Sequence, residues 1–196
     1  HELTVVVQHG TELLGRGLLL AAATQARRAR SMIDLTSSPV SGRRAGFEDI
    51  VLAMNVTSMA SQLMFAGDWT EGARLANWVI DSFPADDRRL AVARARSLGQ
   101  LAIAEVIEGS RFVADGLTRE AIALCKFYRL DPLDLGWAEL ALLVAAQGDT
   151  DMTDLHRTIA RRSAQHKLPC ATCLIDLLRA WSYVRTGDVA AARQVL

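Results

Sequence analysis

The chain has 196 residues, 51% of them hydrophobic and 22% charged, and its 22 basic side chains match 22 acidic ones. That length supports a sizeable core, and that apolar content excludes a disordered chain. Zero formal charge argues against a dedicated nucleic-acid-binding surface, which carries a basic excess.

Three cysteines build no disulfide framework and suit a reducing cytosol, so a cytoplasmic location is expected. Ala, Leu and Arg outnumber the β-branched and aromatic residues, which favours an all-α fold. The apolar run at residues 18–23 is too short to span a bilayer and lies inside a longer helical pattern. His1 is not an initiator Met and Leu196 falls inside an apparent helix. The chain therefore reads as a segment excised from a larger protein.

Two regions are expected: N-terminal helices and a loop over residues 1–46, then one continuous domain of helical repeats over 47–196. Residues 1–14 contain the β-like run Thr4-Val5-Val6-Val7. A lone strand would have no partner here, so helix is favoured. Residues 17–35 form a helix with Arg27, Arg28 and Arg30 on its solvent side. Residues 36–46 are a loop by their Ser, Pro and Gly content. The predicted pairs are 48–66 with 70–83, 87–108 with 111–129, and 133–147 with 153–166. A last helix, 171–185, precedes a partner at 189–196. Asp115-Gly116 leaves two registers open, since it either weakens the helix over 111–129 or begins it.

The corners between paired helices set the period. In Gly67-Asp68-Trp69-Thr70-Glu71-Gly72, glycine can close one helix and Asp68 or Thr70 can cap the next, with Glu71 in its first turn. Similar punctuation follows at Gly109, Gly148 and Gly187, in steps of 42, 39 and 39 residues. A repeat of this length predicts a solenoid of antiparallel helix pairs. Trp69, Trp78, Trp137 and Trp181 are expected to pack inside it.

Trp137-x2-Leu140-Ala141 before Gly148-Asp149 resembles the first helix and turn of a tetratricopeptide (TPR) repeat. Ala180, Tyr183, Gly187 and Ala192 repeat the small–aromatic–turn–small order, as do Ala60, Leu63, Gly67, Gly72 and Pro84. The resemblance implies an α-α superhelix, a TPR-like solenoid. The longer period, the Ala/Arg-rich composition and the G-D-W-x-E-G and G-D-V-x-A-A-R corners are similar to the sensor region of large ATP-binding LuxR-type transcriptional regulators, the MalT-like group. This covers residues 47–196 and reaches 1–46 loosely. The chain has no G-x-x-x-x-G-K-[ST] phosphate loop and no basic helix-turn-helix, so the resemblance assigns ATP and DNA binding to other parts of such a protein.

His166-x3-Cys170-x2-Cys173 could converge on zinc, with His156 as a fourth ligand. With a single CxxC half, the competing reading is two thiols packing a joint between pairs, beside a histidine at a helix C-terminus. No other cofactor is expected. Cys125 has no histidine near it in sequence, and the paired carboxylates Asp86-Asp87 and Asp149/Asp151 fall at turns, so no catalytic set is expected.

The remaining candidate is the concave surface that the first helix of each pair lines. Its predicted residues are Met54, Thr57, Ser61, Met64 and Phe65, then Arg96, Gly99 and Ile103, then Leu135 and Leu142, then Leu177 and Trp181. Such a lining suits an amphipathic helix, a hydrophobic peptide or a small effector. The expected function is a non-catalytic ligand-sensing or protein-interaction domain of a LuxR-family regulator, with a general protein-binding scaffold as the alternative and a zinc protein behind both. Contacts with other domains of the parent chain are expected, and apolar end faces can pair two copies into a dimer.

Overall fold

The computed structural model describes residues 1–35, 45–108, 110–130, 180, 183 and 187–195. Among these the structure is all-α, with no strand. In chain order the helices are α1 (Glu2–Gly15), α2 (Leu19–Arg30), α3 (Phe47–Phe65), α4 (Trp69–Ser82), α5 (Ala91–Glu108), α6 (Arg111–Tyr128) and α7 (Val189–Val195). A 3-10 turn, Arg88–Leu90, leads into α5. The valine run is helical because Val6, Val7, Gly10 and Leu14 make one buried stripe at helical spacing. Gly116 does not interrupt α6, which runs unbroken through Asp115.

From α1 to α6 each helix packs on the next, and α1, α3 and α5 also touch in series. Cross-links give the direction of these first helices. Thr4 meets Asn55 and Thr11 meets Gln62, so α1 and α3 run parallel. Thr57 meets Ser97 and Ser61 meets Gln100, so α3 and α5 do the same. The intervening helices return the chain in the opposite sense.

The corners are built alike. Gly17 and Gly67 have φ of 75° and 87°, and Gly187 has 83°. After the first two, the chain closes the same pair of bonds: Gly17 N to Leu14 O and Leu18 N to Leu13 O, then Gly67 N to Met64 O and Asp68 N to Leu63 O. This is the glycine-terminated helix end that satisfies two orphan carbonyls. Ser110 N to Glu105 O and Asp188 N to Tyr183 O repeat the longer bond. The next helix then starts in the same way, with Leu18, Asp68, Ser110 and Asp188 each accepting from the amide four residues on.

The first of these corners, Gly15-Arg16-Gly17-Leu18, divides the helix predicted over 17–35 from the one before it. It lacks the aspartate that flags the Gly67 and Gly187 corners. Asp68 does not cap α4 with its side chain, and it accepts instead from Arg27 at 3.0 Å. Asp188 does cap, taking the Ala191 amide at 2.9 Å.

One core runs through Val6, Val7, Ala23, Ala26, Ala53, Val56, Met59, Leu63, Leu75, Val79 and Phe83 to Leu90 and Ala93. It crosses residue 46 without a break, so α1 and α2 pack as the first pair of the same stack. Trp78 lies against it, edge-on to Phe83 with ring centroids 5.5 Å apart. Alanines at the crossings let the axes approach closely. Among the described residues no helix is long and apolar enough to cross a membrane.

Two glycines test this account by different routes. A Cβ on Gly72 would lie 2.3 Å from Met64 Cγ and 3.2 Å from the Ala60 carbonyl oxygen, while one on Gly67 would meet nothing. Gly72→Ala should therefore cost about 1–3 kcal/mol through overpacking. Gly67→Ala should cost roughly 1–2 kcal/mol through backbone strain alone. Urea denaturation measures both. A Gly72 variant as stable as the parent would show that α4 does not press on α3 at this point.

Candidate functional site

The predicted groove divides into two sets of residues. No residue from 49 to 66 of α3, nor from 90 to 107 around α5, is exposed. A helix apolar on all sides is enclosed on all sides. Thr57, Met64 and Ile103 are buried and cannot line an open surface. Met64 fills the space over Gly72, and Ile103 is core. Gly99 is buried as well. Met54, Ser61, Phe65 and Arg96 keep partial exposure. Met54 packs against the main core, and Phe65 against Leu14 and Ala22 at the first corner. With Val51 and Ser58, also half-buried, they leave a narrow stripe at helical spacing along α3. Leu135, Leu142, Leu177 and Trp181 lie outside the described residues, as do His156, His166, Cys170 and Cys173. Among the described residues no group of three or more His, Cys, Asp or Glu side chains could hold a metal ion, and Cys125 is buried.

Thr57 and Ser61 belong to a different device. Gln100 of α5 donates from Nε2 to the Thr57 carbonyl oxygen at 3.0 Å and to Ser61 Oγ at 2.7 Å. The Ser61 hydroxyl itself donates to the Thr57 carbonyl at 3.3 Å. One pair earlier the arrangement recurs. Gln62 of α3 donates from Nε2 to the Val7 carbonyl at 3.0 Å and to Thr11 Oγ1 at 3.1 Å, while Thr11 donates to Val7 at 3.1 Å. Each buried glutamine thus grips a carbonyl and the hydroxyl four residues later on the preceding first helix. Thr4 with Asn55 (3.1 Å) and Thr57 with Ser97 (3.3 Å) extend the polar seam.

Both glutamine Oε1 atoms are buried without a hydrogen-bond partner, at a cost of about 1–3 kcal/mol each. Gly10 makes room for the first: a Cβ there would lie 2.2 Å from Gln62 Oε1. Sequence reasoning passed over these glutamines because an uncharged amide inside an apolar helical run looks like a tolerated polar position. The available signal was a Gln in each of two first helices, with a hydroxyl residue four positions beyond the carbonyl it grips.

A charged cluster links successive second helices at the Gly67 corner. Arg27 of α2 reaches Asp68 at 3.0 Å, and Arg30 Nε stands 3.6 Å from Glu71 Oε1. Arg74 holds Glu71 with two bonds, at 2.6 and 2.5 Å. That two-pronged bond holds the Glu71 carboxyl below the usual carboxylate range, helped by the charges of Arg74 and Arg30 and opposed by partial burial and by Asp68. Arg74 is correspondingly raised. Of the three arginines expected on a solvated face, Arg27 and Arg28 are exposed as expected; Arg27 and half-buried Arg30 reach this corner, and Arg28 stands 3.7 Å from Glu2 instead.

Comparison of the chain with protein-family models, with curated proteins and with solved structures finds no match.

Two outcomes follow from this geometry. Gln100→Ala removes two buried donor bonds and leaves a void, and should cost roughly 2–4 kcal/mol. Gln100→Leu should cost less, because it also removes the orphaned oxygen; equal losses in the two variants, read by chemical denaturation, would count against the clamp.

Glu71 is ionised more readily in the folded chain than in the unfolded one. Its contribution to stability is therefore complete above the ordinary glutamate pKa and disappears as pH falls through its lowered folded value. Glu71→Gln should flatten that acid limb of the melting-temperature profile, and an unchanged limb would refute the assignment.

Proposed function

We propose that the chain is a non-catalytic, TPR-like ligand-sensing and protein-interaction module of a bacterial LuxR-family transcriptional regulator, acting in the cytoplasm. The observation that supports this reading is the recurrence of one helix–corner–helix unit, with the same corner bonds and the same glutamine clamp between first helices. Arrays of such units serve as extended interaction surfaces. The accessible part of α3 is the stripe of Met54, Ser58, Ser61 and Phe65, and Arg96 of α5 is half-exposed as well. A flexible methionine, an aromatic ring, hydroxyls and one cation suit a small polar effector or the carboxylate-bearing end of a peptide.

The clamps give such a ligand leverage. A shift of α5 against α3 cannot be absorbed by sliding, since Gln100 would lose both bonds. Occupancy of the stripe would then bias two discrete arrangements of the parent protein.

A thermal-shift screen of sugars, nucleotides and peptides, repeated on Phe65→Ala and Arg96→Ala, tests the site. At a ligand concentration of about 100 Kd the parent should gain about 2.7 kcal/mol, and the variants most of an order of magnitude less affinity. A ligand bound equally well by both variants would displace the site from this stripe. The parent coding sequence separates regulator from general scaffold: a phosphate loop upstream and a basic helix-turn-helix downstream are expected, and a complete gene lacking both would leave the scaffold.

A further inference from the structure

The outward faces of the second helices can be compared position by position, counting from each corner glycine. In α2 the third, seventh, tenth and fourteenth residues after Gly17 are Leu20, Thr24, Arg27 and Ser31; in α4, after Gly67, they are Thr70, Arg74, Asn77 and Asp81. All eight are exposed, and the face is mostly polar, as an outer surface should be. In α6 the same positions after Gly109 hold Phe112, Gly116, Arg119 and Ala123, and Phe127 extends the stripe by one turn. Phe112 is 92% exposed and Phe127 79%. Among the described residues this apolar face takes no part in the stacking of the pairs, because α6 meets α5 through other residues, among them Ala121 and Ile122 against Leu98 and Ile80.

The order of residues along the stripe specifies what fits it. Phe112 and Phe127, Gly116 and Ala123, and Arg119 and Glu120 are placed symmetrically about the midpoint between 119 and 120. At 100° per residue all six fall within one strip about 100° wide, and all six are exposed. The strip is its own complement under a two-fold rotation: aromatic meets aromatic, small meets small, and cation meets anion.

We propose that this face of α6 binds a second copy of the chain, with the two α6 helices antiparallel about an axis through residues 119 and 120. Phe112 of each copy then stacks on Phe127 of the other. Gly116 lies against Ala123, where two small residues let the helix axes approach. Arg119 pairs with Glu120 at the axis, twice.

Both charges already have partners that leave them accessible. Arg119 pairs with Asp115 along α6, and Glu120 accepts from Arg94 at 3.3 Å through one carboxylate oxygen. The contact is isologous, so it closes at two copies and does not propagate into filaments. Enclosing four phenylalanine rings removes on the order of 600–1,000 Å² from water. That is the small end of specific interfaces and corresponds to a reversible dimer with Kd of order micromolar. The inference does not depend on what the inner stripe binds.

Sedimentation velocity over roughly 1–300 μM, a span bracketing the expected dissociation, tests it on the full chain at low salt. The parent should pass from monomer to dimer. Arg119→Glu and Glu120→Arg should each raise the dissociation midpoint by about tenfold or more, since each sets like charges together at the axis. Mixed in equal amounts, these two variants should regain a dimer, because each supplies the charge that the other lost. Glu120→Arg keeps the second anchor of Arg94, its bond to the Ile80 carbonyl at 3.1 Å. Phe127→Ser, an exposed position, should weaken the dimer with an unchanged circular dichroism spectrum. A parent that stays monomeric throughout would overturn the proposal. So would a dimer that these substitutions leave intact, or a mixture that fails to reassociate.

Discussion

The stack depends on a side-chain amide reaching across to a neighbouring main chain. Apolar burial brings α1, α3 and α5 together, but burial is non-directional and specifies axial register less strictly than a hydrogen bond does. Gln62 and Gln100 remove that freedom. Each Nε2 takes a carbonyl oxygen and the hydroxyl one turn later on the helix before it. A slip in either direction would strand a buried amide. The two Oε1 atoms find no protein hydrogen-bond partner among the described residues, and a polar core group of this kind can select one register.

The charged corner and the clamp act on opposite layers of the same joint. Gln62 joins first helices through the interior, while Arg27 and Arg30 join second helices through Asp68 and Glu71 at the surface. The inner link is insensitive to salt and pH because no member ionises. The outer link is sensitive to both. Changes in pH or ionic strength therefore act on the outer link and not on the inner one.

Much of this architecture was legible in the residues. Helices α3 to α6 fall where apolar periodicity, Pro84 and the corner glycines place them, to within a residue at the ends, except that the helix expected from 87 begins at Ala91 after a 3-10 turn. Other features were not legible. The first corner falls at the break expected between the helices before 14 and from 17, but its place in the series was not legible, because Gly17 lacks the flanking aspartate that marks Gly67 and Gly187. The groove was over-read for a related reason. Thr57, Met64 and Ile103 sit at the inward register of their helices, but register does not say how many neighbours enclose a helix. Here α3 from residue 49 and α5 as far as residue 107 have no fully exposed residue, and Thr57 and Ser61 serve the clamp.

The sequence by itself determined that the described residues are helical and where the turns at Gly67 and Gly187 fall, because propensity, glycine dihedrals and hydrophobic period are properties of short stretches. Tertiary structure decided which polar residues became interior links and which arginines found carboxylates. Those outcomes join residues about 40 to 55 positions apart, and no local pattern encodes a contact whose partner lies in the next repeat.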